Sequence, residues 1–326
     1  MDRQGFRDRL APLGLDEDQI EASLAIAERF DAYIHGPGIT PSADAAWAFS
    51  RLLIEERNNS EDAYIALIRY CRFIGDNAMF VALLELVDGG EVGDNLHRMV
   101  AERFGNQIRD EVFAGIGVAP YGTPTPEKPA TLHPVIRRLE TRVGRDACAA
   151  FLSACLRDLP EEHFLPEIEK YHQTGNIDAY LQQAKAAFMD RLEACYRENR
   201  LFFAQEIDEA VLDFVRNDPE MGGGRREGHI IYETKIPYMT KQYLAETDPV
   251  LKRYYACHCP WARDAVKDGN VALEEVFCYC SGGFHKKALE VIFGQPLKVE
   301  VLESILKGDT RCRFAIHLPE DVSANE

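Results

Sequence analysis

The chain has 326 residues, 46% of them hydrophobic, and a formal net charge of -17. That length points to two domains with a packed core, and so acidic a surface, with no basic stripe in it, repels phosphate backbones and makes nucleic acid an unexpected partner. No run of eighteen apolar residues occurs and Met1-Asp2-Arg3-Gln4-Gly5 has no apolar signal region, so the expectation is a cytoplasmic protein with no membrane partner, whose nine cysteines are thiols or ligands rather than disulfides.

Residues 1–116 read as a run of short helices. Asp16 caps one whose apolar face is Ile20, Leu24, Ala27, Phe30 and Ile34, and Gly36, Pro37, Gly38 and Pro41 break it. Further helices carry Trp47, Phe49 and Leu53, then Ile65, Ile68, Cys71 and Ile74 behind Ser60, then Met79, Leu83 and Val87 behind Asp76, and two more reach Ile116. Cys71 sits on an apolar face and reads as core. Four prolines and two glycines between Gly117 and Leu132 predict a surface connection and an internal break at 117–132.

Residues 133–217 return to helical spacing, with Cys148, Phe151, Leu152 and Cys155 as core and Asn176 capping a long helix through Cys195. Met221-Gly222-Gly223-Gly224 predicts a hairpin or a domain joint, after which the period changes. His229 to Thr234 is strand-like, Tyr238 to Ala245 a short helix, Val276 to Tyr279 a strand released by Gly282-Gly283 into a helix over 284–292. Leu297 to Leu306 and Arg311 to His317 alternate about a Gly308-Asp309 turn, as an antiparallel hairpin does. The reading is an α+β fold: a helical region over 1–217 and an α+β domain with an antiparallel sheet over 218–326.

Five of the nine cysteines fall between Tyr254 and Pro319: Cys257, Cys259, Cys278, Cys280 and Cys312. In extended chain, residues i and i+2 face one side, so Cys257 with Cys259 and Cys278 with Cys280 present paired thiols. Four such thiolates suit a tetrahedral zinc ion, with His258, His285 and Cys312 as replacement ligands. The same residues also fit a reactive thiol, Cys280, approached by His285 from the start of the next helix. A third reading is a buried core or pocket without chemistry, in which Trp261, Tyr279, Phe284 and Cys312 wall a ligand site.

The phrases Phe277-Cys278-Tyr279-Cys280-Ser281-Gly282-Gly283-Phe284 and Val301 to Ile316, with Gly308-Asp309-Thr310-Arg311-Cys312, resemble the end of the 4-vinyl-reductase-type small-molecule-binding domain. They are also similar to the L-2-amino-thiazoline-4-carboxylic acid hydrolase-like family and to an uncharacterised bacterial group. The resemblance covers roughly the last third of the chain. It implies an α+β domain that binds a hydrophobic small molecule, with Cys312 at the family's cysteine position and a metal as a companion. The functional expectation is therefore a small-molecule-binding protein with a Cys-rich pocket that takes a metal, zinc first, its helical region covering the pocket or making a homo-oligomer. The rivals are a hydrolase of a small carboxylated heterocycle with a Cys nucleophile, and a helical interaction protein whose cysteines are structural.

Overall fold

Capping side chains start most of the long helices where the sequence places them. This computed structural model describes residues 1–320 and 322. Its helices are α1 Arg3–Leu10, α2 Glu17–Ile34, α3 Ala43–Glu55, α4 Glu61–Ile74, α5 Asn77–Val87, α6 Val92–Phe104, α7 Asn106–Phe113, α8 Lys128–Val143, α9 Arg145–Leu152, α10 Leu165–Thr174, α11 Ile177–Arg197, α12 Glu209–Asn217, α13 Thr240–Ala245, α14 Pro249–Ala256, α15 Arg263–Asp268 and α16 Cys278–Phe293. The strands are β1 Arg225–Glu227, β2 Ile230–Thr234, β3 Lys298–Glu303 and β4 Arg313–His317. A helical N-terminal region followed by an antiparallel sheet makes the α+β fold that the sequence predicts. Asp16, Ser60, Asp76 and Asn176 each accept a backbone N–H of the first turn they precede.

Two compact units divide the chain: residues 1–93 with 117–131, and residues 94–116 with 132 onward. The helices between 132 and 217 thus belong with the sheet. In the first unit, α2 to α5 bury Leu24, Phe30, Phe49, Leu67 and Leu83. The Pro/Gly-rich stretch, expected as a surface connection, is built into this core. Thr123 and Thr125 are buried, and the Gly122 carbonyl accepts from Ser50 Oγ at 2.7 Å. Gly122 has φ +84°, and a Cβ there would overlap Tyr64 Oη, so glycine is required. Lys128 ends the stretch by donating its ammonium to the carbonyls of Glu85 and Leu86, which closes the C-terminus of α5.

The second unit carries a four-stranded antiparallel sheet of order β1-β2-β4-β3. Ile231 pairs with Ile316 and Glu233 with Phe314 across β2 and β4, while Val299 and Val301 meet Ile316 and Phe314 across β3 and β4. Cross-strand partners share a face, so these six residues form one side of the sheet. Five of them are buried hydrophobics; the sixth is Glu233. Helix α16 covers this side, and Gly282 lets it approach: a Cβ there would lie 3.1 Å from Val299.

Here the structure corrects the predicted strand at 276–279. Residues Glu275–Phe277 form a single 3-10 turn, and the helix begins at Cys278 rather than at Phe284. The aromatic, strand-like composition of Phe277-Cys278-Tyr279 reflects burial rather than extension. Gly282 and Gly283 do not release a strand. They sit inside α16 because both sides of that helix are in close contact: Gly282 with the sheet, Gly283 with the turn at Ser153 to Cys155.

Candidate functional site

Helix α16 has two working sides. Cys278, Ser281, Gly282, His285 and Leu289 recur at spacings of three and four, so they share the side toward the sheet. Cys280 and Gly283 lie on another side, against the end of α9.

On the sheet side, polar groups interrupt an apolar layer. His285 Nδ1 lies 2.7 Å from Glu233 Oε1. A carboxylate only accepts, so Nδ1 carries the proton. The imidazole stacks on Phe314, with centroids 5.0 Å apart and planes 27° apart. Its Nε2 is shielded from solvent and has no hydrogen-bond partner among the described residues. Buried polar atoms are almost always paired, so a carboxylate-oriented ring with one nitrogen left over is what a ligand contact or a base looks like. Just past the end of β2, Lys235 Nζ donates to Ser281 Oγ at 3.2 Å. Lys235 also donates its backbone N–H to the Cys312 carbonyl at 3.0 Å.

The thiols gather around this layer. Cys257 and Cys259 pack with Ile305 and Cys312 in one apolar cluster, and Cys312 and Cys278 pack against the neighbouring cluster of Phe314 and Val301. Burial pushes the Cys278 thiol up to about 12, with the nearby Cys312 charge adding to it and a Ser304 hydrogen bond opposing it. Burial likewise raises Cys257, helped by Cys259 and Cys312. It raises Cys312 too, there against the Lys235 ammonium, which favours the thiolate. These are neutral thiols near pH 7: soft donors, and nucleophiles only once deprotonated.

The paired-thiol expectation does not hold at 278 and 280. In a helix, i and i+2 stand about 200° apart, so Cys278 turns to the sheet and Cys280 away from it. Cys280 instead accepts the Leu156 N–H at 3.3 Å and hydrogen-bonds the Cys155 thiol. His285 and Cys280 are thereby held by different partners on different sides of α16. Cys257, the residue after α14, is extended at φ -75° and ψ 119°, while the Cys259 carbonyl starts the turn into α15. Among the described residues no three His, Cys, Asp or Glu side chains are arranged to hold a metal ion.

The four positions expected to wall one pocket lie in different surroundings. Trp261 is buried and its carbonyl meets His133 Nε2 at 3.0 Å. Tyr279 lines a groove of about 1140 Å³ with Ser153, Ala154 and Val299. Phe284 is 44% exposed, and Cys312 joins the two thiol-bearing clusters. His258 Nε2 donates to the Ile236 carbonyl at 2.6 Å, and burial, then the Lys235 charge, hold the ring well below the ordinary imidazole range.

Glu233 and Lys235 are the residues that sequence reasoning missed. Their signal is parity: with Ile231 on the buried side of β2, positions 233 and 235 follow on the same side, and both are charged. Comparison with known proteins places this region in a wider setting. Residues 240–323 match a family of unknown function, DUF6144, which takes in α13 to α16, β3 and β4 but not Glu233 or Lys235. No curated protein and no solved structure matches the chain.

Proposed function

We propose that the second unit binds a small molecule between α16 and the sheet, with His285 Nε2 as the contact that orients it. One observation carries this reading: a buried imidazole nitrogen with no partner among the described residues, on a ring whose other nitrogen is fixed by Glu233. A buried polar atom left unmade costs about 1–3 kcal/mol, so a ligand that reaches it gains that amount. Lys235 and the neutral thiols of Cys278 and Cys312 give the site a cation and soft, apolar walls. The ligand class is a small molecule with an apolar body and one hydrogen-bonding polar group, such as a carboxylated heterocycle.

A thermal-shift panel of small carboxylic acids and nitrogen heterocycles tests this. A ligand at a hundred times its Kd adds about 2.7 kcal/mol, and His285→Leu is expected to abolish that shift. A panel with no hit, or a hit whose shift survives in His285→Leu, sinks the reading. If turnover accompanies binding, the nucleophile is a sheet-side thiol, Cys278 or Cys312, because Cys280 lies on the other side of α16.

A metal reading has its own support, since Cys257, Cys259 and Cys312 pack in one apolar cluster and Cys278 joins Cys312 against the next. Zinc is the ion such thiols suit, with Cys312 in the place that spacing assigned to Cys280. Elemental analysis of protein purified without chelator, paired with a thiol titration, decides it: stoichiometric zinc with about four protected thiols against none.

A further inference from the structure

We propose that Cys155 and Cys280 form a redox-active dithiol that closes to a disulfide by exchange with a low-molecular-weight disulfide. The pair is built by the fold rather than met by chance. The Cys280 and Cys155 side chains are hydrogen-bonded to each other. Two successive backbone N–H groups point at the two sulfurs: Leu156 N to Cys280 at 3.3 Å, and Arg157 N to Cys155 at 3.4 Å. Gly283 lets the turn press onto α16, since a Cβ there would lie 2.5 Å from the Ser153 carbonyl oxygen and 2.9 Å from the Cys155 nitrogen. Cys155 itself adopts φ +67°, a left-handed conformation that a non-glycine residue takes at a cost. Helical spacing assigned Cys155 to the core face of α9, but α9 ends at Leu152, and the reversed turn delivers the thiol to Cys280.

The two thiols are not equivalent. Cys155 sits on the reversed turn whose Ser153 and Ala154 line the groove, and its sulfur receives the Arg157 N–H. Cys280 sits inside α16, its sulfur held by the Leu156 N–H. Cys155 is therefore the attacking sulfur and Cys280 the resolving one. The Cys155 thiolate attacks one sulfur of R–S–S–R, forming the mixed disulfide Cys155–S–S–R and releasing RS⁻. The Cys280 thiol gives its proton to that thiolate and attacks the Cys155 sulfur, expelling the second RS⁻. Two cysteine thiols are oxidised to one disulfide, and one external disulfide is reduced to two thiols. Ser153, Ala154 and Tyr279, sequence neighbours of the pair, line the groove of about 1140 Å³, which supplies the approach.

This site is separate from the His285 side of α16 and stands whether or not that side binds a ligand. Oxidised glutathione, added to the reduced full-length protein, is the probe. The expected result is loss of two of the nine alkylatable thiols, a Cys155–Cys280 cross-linked peptide on digestion, and full recovery with dithiothreitol. Cys280→Ser is expected to trap a glutathione adduct on Cys155, whereas Cys155→Ser forms neither adduct nor cross-link at Cys280. Nine thiols still titrating, or a cross-link that joins Cys280 to Cys259 or to another partner, overturns the proposal. The peptide map of the unsubstituted protein needs no variant to fold.

Discussion

His133 and His285 are two sheltered imidazoles of the same unit, and they differ in what is left over. His133 is fully enclosed and both its nitrogens are used: Nε2 meets the Trp261 carbonyl at 3.0 Å, and Nδ1 accepts the Glu274 N–H at 3.0 Å. The ring is a rivet between α8 and the segments on either side of α15. Among the described residues, His285 uses only Nδ1, on Glu233, and leaves Nε2 unmatched. A residue that saturates its partners explains itself as structure; a residue that does not asks for another molecule. The opposite face of the sheet repeats the first case. Buried Glu220 accepts from Arg313 Nε and Nη2, each at 2.7 Å, and from the Thr234 hydroxyl at 2.8 Å, and the guanidinium holds its carboxyl below the usual range.

The contrast predicts unequal costs of removal, and this is the largest expected effect. His133→Leu strands a carbonyl and an N–H in the core, at about 3 kcal/mol in all. His285→Leu loses one hydrogen bond to a carboxylate that water can still reach, keeps the apolar contact with Phe314, and costs under about 1 kcal/mol. Urea unfolding of both variants measures the difference. Equal destabilisation would break the comparison and make His285 a second rivet.

Acid sharpens it further. Burial, aided by the Arg137 charge and against the Trp261 hydrogen bond, lowers His133 from 6.5 to about 4. The unfolded chain takes up a proton below about pH 6.5 and the folded one does not until about 4, so stability is full above 6.5 and falls as pH drops through that window. By pH 5 the loss from His133 is about 2 kcal/mol, and His258, also buried in its neutral form, adds to it with the same sign. Urea midpoints at pH 7.5 and pH 5 should separate by this amount, and His133→Gln should flatten the slope. A slope untouched by His133→Gln would mean that the imidazole titrates normally.

How much of this was legible depends on the range of the interaction. Asp16, Ser60, Asp76 and Asn176 act on backbone three residues away, so the helices they start are visible in the chain itself. The hairpin of β3 and β4 was equally visible from alternation about Gly308, whose φ of +100° needs glycine. The start of α16 was not, because Gly282 and Gly283 read as a breaker until the surfaces pressing on them are known. His133 gave no signal at all: its partners are backbone atoms 128 and 141 residues away. The Cys-x-Cys spacing located the thiol-rich region but assigned its geometry from extended chain, and the helix at Cys278 undoes that pairing. Cys312 lies just ahead of β4 and packs against the cluster that holds Phe314.

The smallest expected effect is the most specific to His285. Glu233→Gln keeps the shape of the side chain and removes the charge that fixes the ring. Its cost in stability is about 0.5 kcal/mol, since the carboxylate is partly hydrated. The tautomer should change far more than the stability. A carboxylate can only accept, so with Glu233 the neutral ring carries its proton on Nδ1 and presents a bare Nε2. A carboxamide offers both a donor and an acceptor to Nδ1, so the ring divides between two tautomers and loses its single presented lone pair. Imidazole ¹⁵N spectra of the two proteins read this directly. A protonated Nε2 in the unsubstituted protein would remove the acceptor on which ligand orientation rests. A shift from one tautomer to a mixture, at nearly constant stability, would mark Glu233 as a positioning residue whose work is done on the imidazole rather than on the fold.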